Sequence, residues 1–437
     1  MVRLYPAEPA VDAGAMLRLH VATRLNSYCI RIERWDDAVR TVAIAGPFRG
    51  VDAPPGAAAI PWDWPAIEIP LARDLQSGAY IARALVEPDG GVRAPRERTP
   101  DARWGTALFV VRDRSAARVL VNLPLFTYHA YNVADVDGTR GEGEGACLYS
   151  GERAVTLMRP GGGTGGHPWD EVNADVYDRA SPRQTFAHWD RHALAWFARE
   201  RIPVDVCTDL DLHRGDVPLE RYDLLCSFGH DEYWTREKRA AVERFLDDGG
   251  NVAFFGGNTC WFRVRYDAAT ASIARDGRWS DDQPEDALTG LSFRAGGGKW
   301  IGPRPPTGYR IVDDDAVLRA AGLRVGDVLG AAHRLIGYEC DGVDLRNAPD
   351  GLRILGRVPL EGWNVEDGSG EIAPGGHAAM ATFRCREGVV FNAGTADWAR
   401  CLRDDPQVAA LTRAVVGALT TGTRRSRPVP ERSFRGS

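Results

Sequence analysis

From about residue 115 onward, short apolar runs typical of β-strands alternate with segments of helical periodicity. The predicted strands are 116–125, 204–210, 222–229, 251–257 and 389–394. Apolar residues recur at helical spacing over 184–201, and Thr235 is a suitable N-cap for a helix that ends before Gly249. Strand–helix alternation implies parallel strands with right-handed crossovers and helices on both faces. The sequence therefore predicts a doubly wound α/β domain.

The segment before this part, 13–112, has short apolar runs between turn clusters and no long helical period. This pattern favours an N-terminal β-sandwich-like domain. Within the α/β part, 262–385 is rich in Gly, Pro and Asp, and we interpret it as an irregular insertion. The predicted organisation is a β-rich domain over 1–112, an α/β domain over 113–420, whose last helix begins at 406, and a disordered basic tail over 421–437.

Composition excludes several classes of protein. With 437 residues, 44% hydrophobic and 26% charged, the chain is not expected to be disordered. It has no apolar run approaching the roughly 18 residues of a membrane span. Its first residues lack the apolar stretch of a signal peptide, so we expect a cytoplasmic protein. A net charge of −6 argues against a nucleic-acid or anionic-membrane partner.

The sequence shows no familiar nucleophile or zinc site. Its eight cysteines are scattered, without the spacing of a zinc site. Cys226 lies inside a predicted strand, and the corner after that strand carries His230, Asp231 and Glu232. Covalent catalysis by Cys or Ser is therefore not expected. The glycine-rich run 161–166 lacks the strand and helix that flank a phosphate-binding loop.

Chemically distinctive residues follow the carboxyl ends of the predicted strands, which is where open α/β sheets bind ligands. The four segments are FTYHAYN, GHDEYW, GGNTCWF and GTADW. They supply an oxygen-rich set consisting of Tyr128, Tyr131, His230, Glu232 and Asn258. Phenolate and carboxylate oxygens suit a hard metal ion, and tyrosinate is an iron ligand. A metal held there would polarise a carbonyl and lower the pKa of bound water.

Several of these motifs resemble those of the large (β) subunit of N,N-dimethylformamidase and its relatives. The matching segments are YHAYN at 128–132, HDEYW at 230–234, GGNT at 256–259 and SGAY at 77–80, with weaker matches GYE at 337–339 and TADW at 395–398. The α/β part also resembles trehalose-utilisation-type amidotransferase-like domains through its GHDE corner. The expected α/β fold is thus glutamine-amidotransferase-like, that is, flavodoxin-like.

The dimethylformamidase resemblance implies a mononuclear Fe(III) site. Its implied ligands are Tyr80, Tyr131 and Glu232, with Tyr128 as the substitute for Tyr80. The implied catalytic or supporting residues are His230, Asn258 and Glu339. Tyr80 would reach this site from the β-rich domain. His188 and His192 are four residues apart but have no third ligand nearby in sequence, so we interpret them as part of a helix face.

The hypothesis from the sequence is a metal-dependent hydrolase of a C–N bond in a small-molecule amide or formamide. One alternative is a non-catalytic module that binds carbohydrate or protein. Another is an iron-site enzyme of secondary metabolism with a different reaction. Dimethylformamidase has a small partner subunit, and the sequence leaves open whether this chain has one or forms a homo-oligomer. The long segment 132–147 would lie beside the metal, and its role is also open.

Overall fold

A computed structural model gives the architecture. It describes residues 2–85, 105–113, 115–132, 147–149, 151–164, 175–178, 181–295, 297–300, 302–360, 370–372 and 376–420. The predicted tail 421–437 and most of the segment 132–147 lie outside the described residues.

The N-terminal part is built from two facing β-sheets. Its strands are β1 (Val2–Pro6), β2 (Ala10–Asp12), β3 (Met16–Thr23), β4 (Ser27–Trp35), β5 (Val39–Arg49), β6 (Ala66–Pro70), β7 (Gly78–Leu85) and β8 (Thr106–Arg112). One sheet has the order β1-β3-β6 and the other β2-β8-β7-β4-β5. Leu19 from the first sheet and Ile32 and Phe109 from the second belong to one buried apolar core. This arrangement agrees with the predicted β-sandwich-like fold.

The next part of the chain alternates strands with helices. Its elements are β9 (Val119–Leu123), α1 (Leu125–Ala130), β10 (Ala154–Thr156), α2 (Asp190–Glu200), β11 (Val204–Thr208), α3 (Asp209–Arg214), β12 (Leu224–Gly229), β13 (Tyr233–Trp234), α4 (Arg236–Asp247), β14 (Asn251–Gly256), β15 (Phe262–Asp267) and β16 (Ser272–Arg278). The remaining elements are α5 (Asp286–Thr289), β17 (Gly298–Trp300), β18 (Tyr309–Ile311), α6 (Ala316–Ala320), β19 (Val328–Leu329), β20 (Glu339–Cys340), β21 (Arg353–Pro359), β22 (Gly370–Ile372), β23 (His377–Cys385), β24 (Gly388–Asn392), α7 (Trp398–Cys401) and α8 (Pro406–Thr420).

A nine-stranded mixed sheet organises these elements in the order β11-β9-β12-β14-β24-β23-β21-β18-β19. The first five strands are parallel, and they confirm the five predicted strands. Their chain order across the sheet is 2-1-3-4-5, the order of flavodoxin-like sheets. Residues of α2 and α8 pack on one face and residues of α4 on the other. The more specific likeness to glutamine amidotransferases stays a prediction.

The segment 262–385 differs from the irregular insertion that was predicted. Four of its strands, β18, β19, β21 and β23, extend the parallel sheet in antiparallel register. Two more of its strands, β15 and β16, form a sheet with β10 and β13, and three others form the short sheet β20-β17-β22. Gly, Pro and Asp occur both within and between its short strands, so its composition did not reveal that it continues the sheet.

Helix boundaries also test the sequence reading. Thr235 caps α4 as predicted, since its Oγ1 accepts a hydrogen bond from the Lys238 amide at 3.2 Å. The helix predicted over 184–201 begins only at Asp190. Gln184 has a φ of 61°, which is incompatible with a right-handed helix.

The sandwich and the nine-stranded sheet share a second core. Successive β7 side chains alternate, so Tyr80 faces the sandwich core while Ala79 and Ile81 face the α/β side. There they join the cluster that contains Val121 and Phe228 from the parallel strands. Within the described residues, no helix is both long and apolar enough to cross a bilayer.

Candidate active site

Two oxygen donors from neighbouring parallel strands meet in the protein interior. Tyr131 ends the short helix after β9, and Glu232 follows β12. The Tyr131 hydroxyl donates to Glu232 Oε2 at 2.7 Å, and both residues are at most 3% exposed. Thr127 Oγ1 fixes the approach because it accepts the backbone N–H of Glu232 at 2.9 Å. The contact lies at the point where strand order reverses, the expected ligand position in an open α/β sheet.

Asn258 links this pair to a second carboxylate. It follows β14 in the left-handed conformation, with φ at 52°. Its Nδ2 donates to Glu232 Oε1 at 3.1 Å and to Glu339 Oε2 at 3.2 Å. Both amide protons are thus used by carboxylates. Asn258 Oδ1 is buried without a hydrogen-bond partner in the part of the chain that the structure describes.

His230 completes the cluster. Its Nε2 lies 2.6 Å from Glu339 Oε2 and 3.6 Å from Glu232 Oε2. Burial alone lowers the pKa of His230, but the carboxylates of Glu339 and Glu232 outweigh it and raise that pKa above its usual value. Burial raises the pKa of Glu339, yet His230 outweighs it and holds that pKa below its usual value. His230 and Glu339 therefore form a close buried pair in which each favours the charged form of the other.

Glu232 behaves differently from Glu339. Burial raises the pKa of Glu232 to about 7, with His230 opposing the rise and Glu339 adding to it. Burial, with Glu232 nearby, raises the pKa of Tyr131 well above its usual range. Two carboxylates in one site thus have pKa values moved in opposite directions.

A family model described as "N,N-dimethylformamidase beta subunit-like, C-terminal" matches residues 29–410. The chain belongs to this family. Membership in the dimethylformamidase-like family indicates a hydrolase of amides. The five residues Tyr131, His230, Glu232, Asn258 and Glu339, which lie far apart in sequence, meet in one site of this dimethylformamidase-like chain.

Comparison with individual proteins adds little. No curated protein matches the chain. Among solved structures, the mmIFT52 N-terminal domain is 14% identical with a TM-score of 0.33, covering 53% of this chain and 90% of that chain. The exo-beta-1,4-mannosidase Op5Man5 from Opitutaceae bacterium strain TAV5 is also 14% identical, with a TM-score of 0.29, covering 70% of this chain and 36% of that one. TM-scores this low do not indicate that either protein shares the fold of this chain.

Tyr80 and its substitute Tyr128, one of which was expected to be the second tyrosine ligand, do not contact this cluster. Tyr80 lies in the sandwich core, stacked on Phe109, and its hydroxyl donates to the Gln76 carbonyl at 2.8 Å. Tyr128 is buried elsewhere, with its hydroxyl hydrogen bonded to Asp190. Of the implied ligand set in this dimethylformamidase-like chain, the structure brings together Tyr131 and Glu232 and leaves Tyr80 in a different core.

Four residues around the cluster were not singled out from the sequence. Gln184 contacts His230, and Tyr338 lies beside the same imidazole with ring centroids 5.7 Å apart. Tyr149 stacks on Tyr131, and its hydroxyl accepts from Lys299 Nζ at 3.1 Å. The only sequence signal among them was the GYE motif, which contains Tyr338 next to Glu339.

A separate buried cluster has the ligand types of a metal site. Asp175, His188 and Asp397 place one ligand atom each within 4.8 Å of one another. However, the guanidinium groups of Arg183 and Arg304 pair with Asp175 and Asp397, respectively. Because these carboxylates are already compensated by positive charge, the cluster is a poorer cation site than its ligand types suggest. His188 precedes α2, so it does not form the helix face with His192 that the sequence suggested.

Proposed function

We propose that this chain hydrolyses the C–N bond of a small amide or formamide, with a ferric ion held by Tyr131 and Glu232. The observation that carries the proposal is the 2.7 Å contact between the Tyr131 hydroxyl and Glu232 Oε2, buried beside the His230–Glu339 pair. A phenol and a carboxylate are hard oxygen donors, which suit Fe(III).

The surroundings support a bound group at this place. Asn258 Oδ1 is buried and lacks a partner within the described ranges, although buried polar atoms are nearly always hydrogen bonded. The same residue holds both carboxylates through Nδ2. A ferric ion bound here supplies Lewis acidity toward the substrate carbonyl and toward water.

His230 is the proton donor in this proposal. Its Nε2 lies 2.6 Å from Glu339 Oε2, and this carboxylate favours the charged imidazole. Amide hydrolysis requires a proton on the leaving nitrogen, and a positioned imidazolium supplies one. Glu339 then holds the orientation of His230 and offsets its charge. Asn258 keeps Glu232 and Glu339 at a fixed separation.

Metal analysis and an amide panel test the proposal. Protein purified after iron-replete growth should contain iron, show a visible phenolate-to-iron band and release amine from N,N-dimethylformamide or a related small amide. Colourless, iron-free protein that hydrolyses no amide would sink the proposal.

A variant of the carboxylate tests the site itself. Glu232→Ala should lose iron and activity but stay folded, because this carboxylate is costly to bury in its charged form. Glu237→Ala is the matched control, since Glu237 lies on α4 with 59% of its side chain exposed. Full activity in Glu232→Ala would contradict its role.

A further inference from the structure

One buried amide connects His230 to the tyrosine beside it. His230 Nδ1–H donates to Gln184 Oε1 at 2.8 Å, and Gln184 Nε2 donates to the Tyr338 hydroxyl at 3.0 Å. Gln184 is 1% exposed, and both partners are fully buried. The amide therefore joins the two rings in the protein interior, where hydrogen bonds are stronger than at the surface.

The backbone at this bridge is held in unfavourable conformations. Gln184 has a φ of 61° and Tyr338 a φ of 40°, in the left-handed region that non-glycine residues rarely adopt. Such conformations are unfavourable and persist only where the surroundings impose them. Asn258, across the cluster, is held in the same region. Conformational strain is thus concentrated around His230.

The bridge determines which nitrogen of His230 faces the carboxylates. With Nδ1 engaged by Gln184, Nε2 points toward Glu339 Oε2 and Glu232 Oε2. A partner on one ring nitrogen fixes the orientation of the ring and so the direction of the other nitrogen. The same bridge uses the acceptor side of the Tyr338 hydroxyl, so the O–H of Tyr338 is left to donate elsewhere.

We infer that Gln184 is a positioning residue for the proton transfer by His230, an inference that rests on the proposed hydrolase function. Gln184 does not touch the reacting atoms; it holds the imidazole so that Nε2 is presented to the site. The expected consequence of removing the bridge is a slower chemical step with little change in substrate binding. Loss of a supporting partner of this kind typically costs about 10- to 100-fold in activity.

Two substitutions at Gln184 distinguish a purely structural role from the positioning of His230. Gln184→Asn shortens the side chain, which breaks the bridge, but asparagine tolerates the left-handed conformation better than glutamine. Gln184→Glu keeps an acceptor toward His230 Nδ1. Gln76→Asn is the control, because Gln76 is exposed and, among the described residues, its hydrogen bonds are with Arg34 and Tyr80 of the sandwich.

The test compares these variants by kinetics of the iron-loaded protein and by NMR of the metal-free ¹⁵N-histidine-labelled protein, because Fe(III) beside His230 would broaden its signals. Both are measured at one fixed pH, with the His230 signal assigned through His230→Asn. In Gln184→Asn we expect kcat to fall about 10- to 100-fold with KM little changed, a lower Tm in a protein that stays folded, and loss of the hydrogen-bonded Nδ1 proton signal. Gln184→Glu should retain that signal and recover part of kcat. Gln76→Asn should match the parent protein.

Two results would overturn the inference: an unchanged kcat in Gln184→Asn, or an unchanged Nδ1 proton signal in that variant. If the parent protein hydrolyses no amide, the hydrolase proposal fails by itself. The NMR comparison then still decides whether Gln184 sets the orientation of His230.

Discussion

His230 Nε2 lies 2.6 Å from Glu339 Oε2, and neither side chain is more than 4% exposed. Both charges have been removed from water, which is favourable only where each compensates the other. His230 lies in the corner after β12, whereas Glu339 lies in β20, more than 100 residues later in the chain. Proton chemistry in this site therefore depends on a residue outside the parallel strands.

Replacing Glu339 by glutamine tests this dependence. An amide of the same shape cannot stabilise the imidazolium, so the proton on His230 is held less firmly. We expect kcat for amide hydrolysis to fall by about 10²–10⁴, the range attributed to general acid–base catalysis. Glu200→Gln, which disrupts an ion pair with Arg413, serves as the control. Activity in Glu339→Gln within twofold of that control would refute the acid role of the pair.

The two tyrosines of the implied ligand set are separable by single hydroxyl deletions. Tyr131→Phe removes the phenol that contacts Glu232, and we expect bound iron and its visible band to be lost. Tyr80→Phe removes only a hydrogen bond to the Gln76 carbonyl, so iron content should stay unchanged. Metal analysis and the absorption spectrum check both. Iron loss in Tyr80→Phe would show that Tyr80 reaches the metal.

The position of the site followed from the sequence because parallel strands end at one edge. Glu232 and Asn258 come directly after parallel strands, and Tyr131 ends the short helix after another, so strand assignment was enough to bring them together. Glu339 was reachable only through the family resemblance, since it does not follow one of the five predicted strands.

The positions of Tyr80 and Gln184 could not be predicted from the sequence. Tyr80 alternates with Ala79 and Ile81 along β7, and the strand pattern alone does not fix which face meets the α/β domain. Gln184 lies outside any regular element, and its role depends on a left-handed backbone that no periodicity reveals. Side-chain direction and irregular backbone are set by tertiary packing, so the structure was needed for both.

A buried lysine supports the corner that carries Glu232. Lys238 Nζ lies 2.5 Å from Asp209 Oδ1 and 2.7 Å from Asp231 Oδ1, and all three side chains are at most 2% exposed. Lys238→Met should destabilise the fold by about 3–5 kcal/mol, because two buried carboxylates lose their compensating charge. Urea denaturation measures the change.

The control for Lys238 lies on the same helix. Arg236→Met breaks an exposed pair with Asp282 and should cost no more than about 1 kcal/mol. Equal losses in the two variants would mean that the buried cluster contributes no more than a surface pair.

Gly257 lets the strand end approach the backbone of Glu339. A Cβ at this position would lie 2.4 Å from the Glu339 carbonyl oxygen and 2.7 Å from the Ala396 nitrogen. Gly257→Ala should therefore shift Glu339 and lower the free energy of unfolding by about 1–3 kcal/mol. Because Glu339 belongs to the site, kcat should also fall. Gly417→Ala in α8 meets open space and should gain about 0.5–1 kcal/mol. Thermal denaturation and kcat distinguish the two, and a stabilised, active Gly257→Ala would contradict the close approach.

Asp286 should make stability fall as the pH rises through a defined window. Burial raises its pKa to about 6, and Glu285 adds to the rise. The usual value is about 3.9, so the folded state binds the proton more tightly than the unfolded state. Stability from this group is therefore present below about pH 4 and is lost as the pH rises through about 6.

Asp286→Asn should raise Tm at pH 8 and leave it nearly unchanged at pH 4. Asp282→Asn should instead lower Tm at pH 8 and have a smaller effect at pH 4. A hydrogen bond from Arg236 lowers the pKa of Asp282, so its contribution to stability is present at high pH and is lost as the pH falls. A Tm gain in Asp286→Asn that is equal at both pH values would show that ionisation of Asp286 is not its cause.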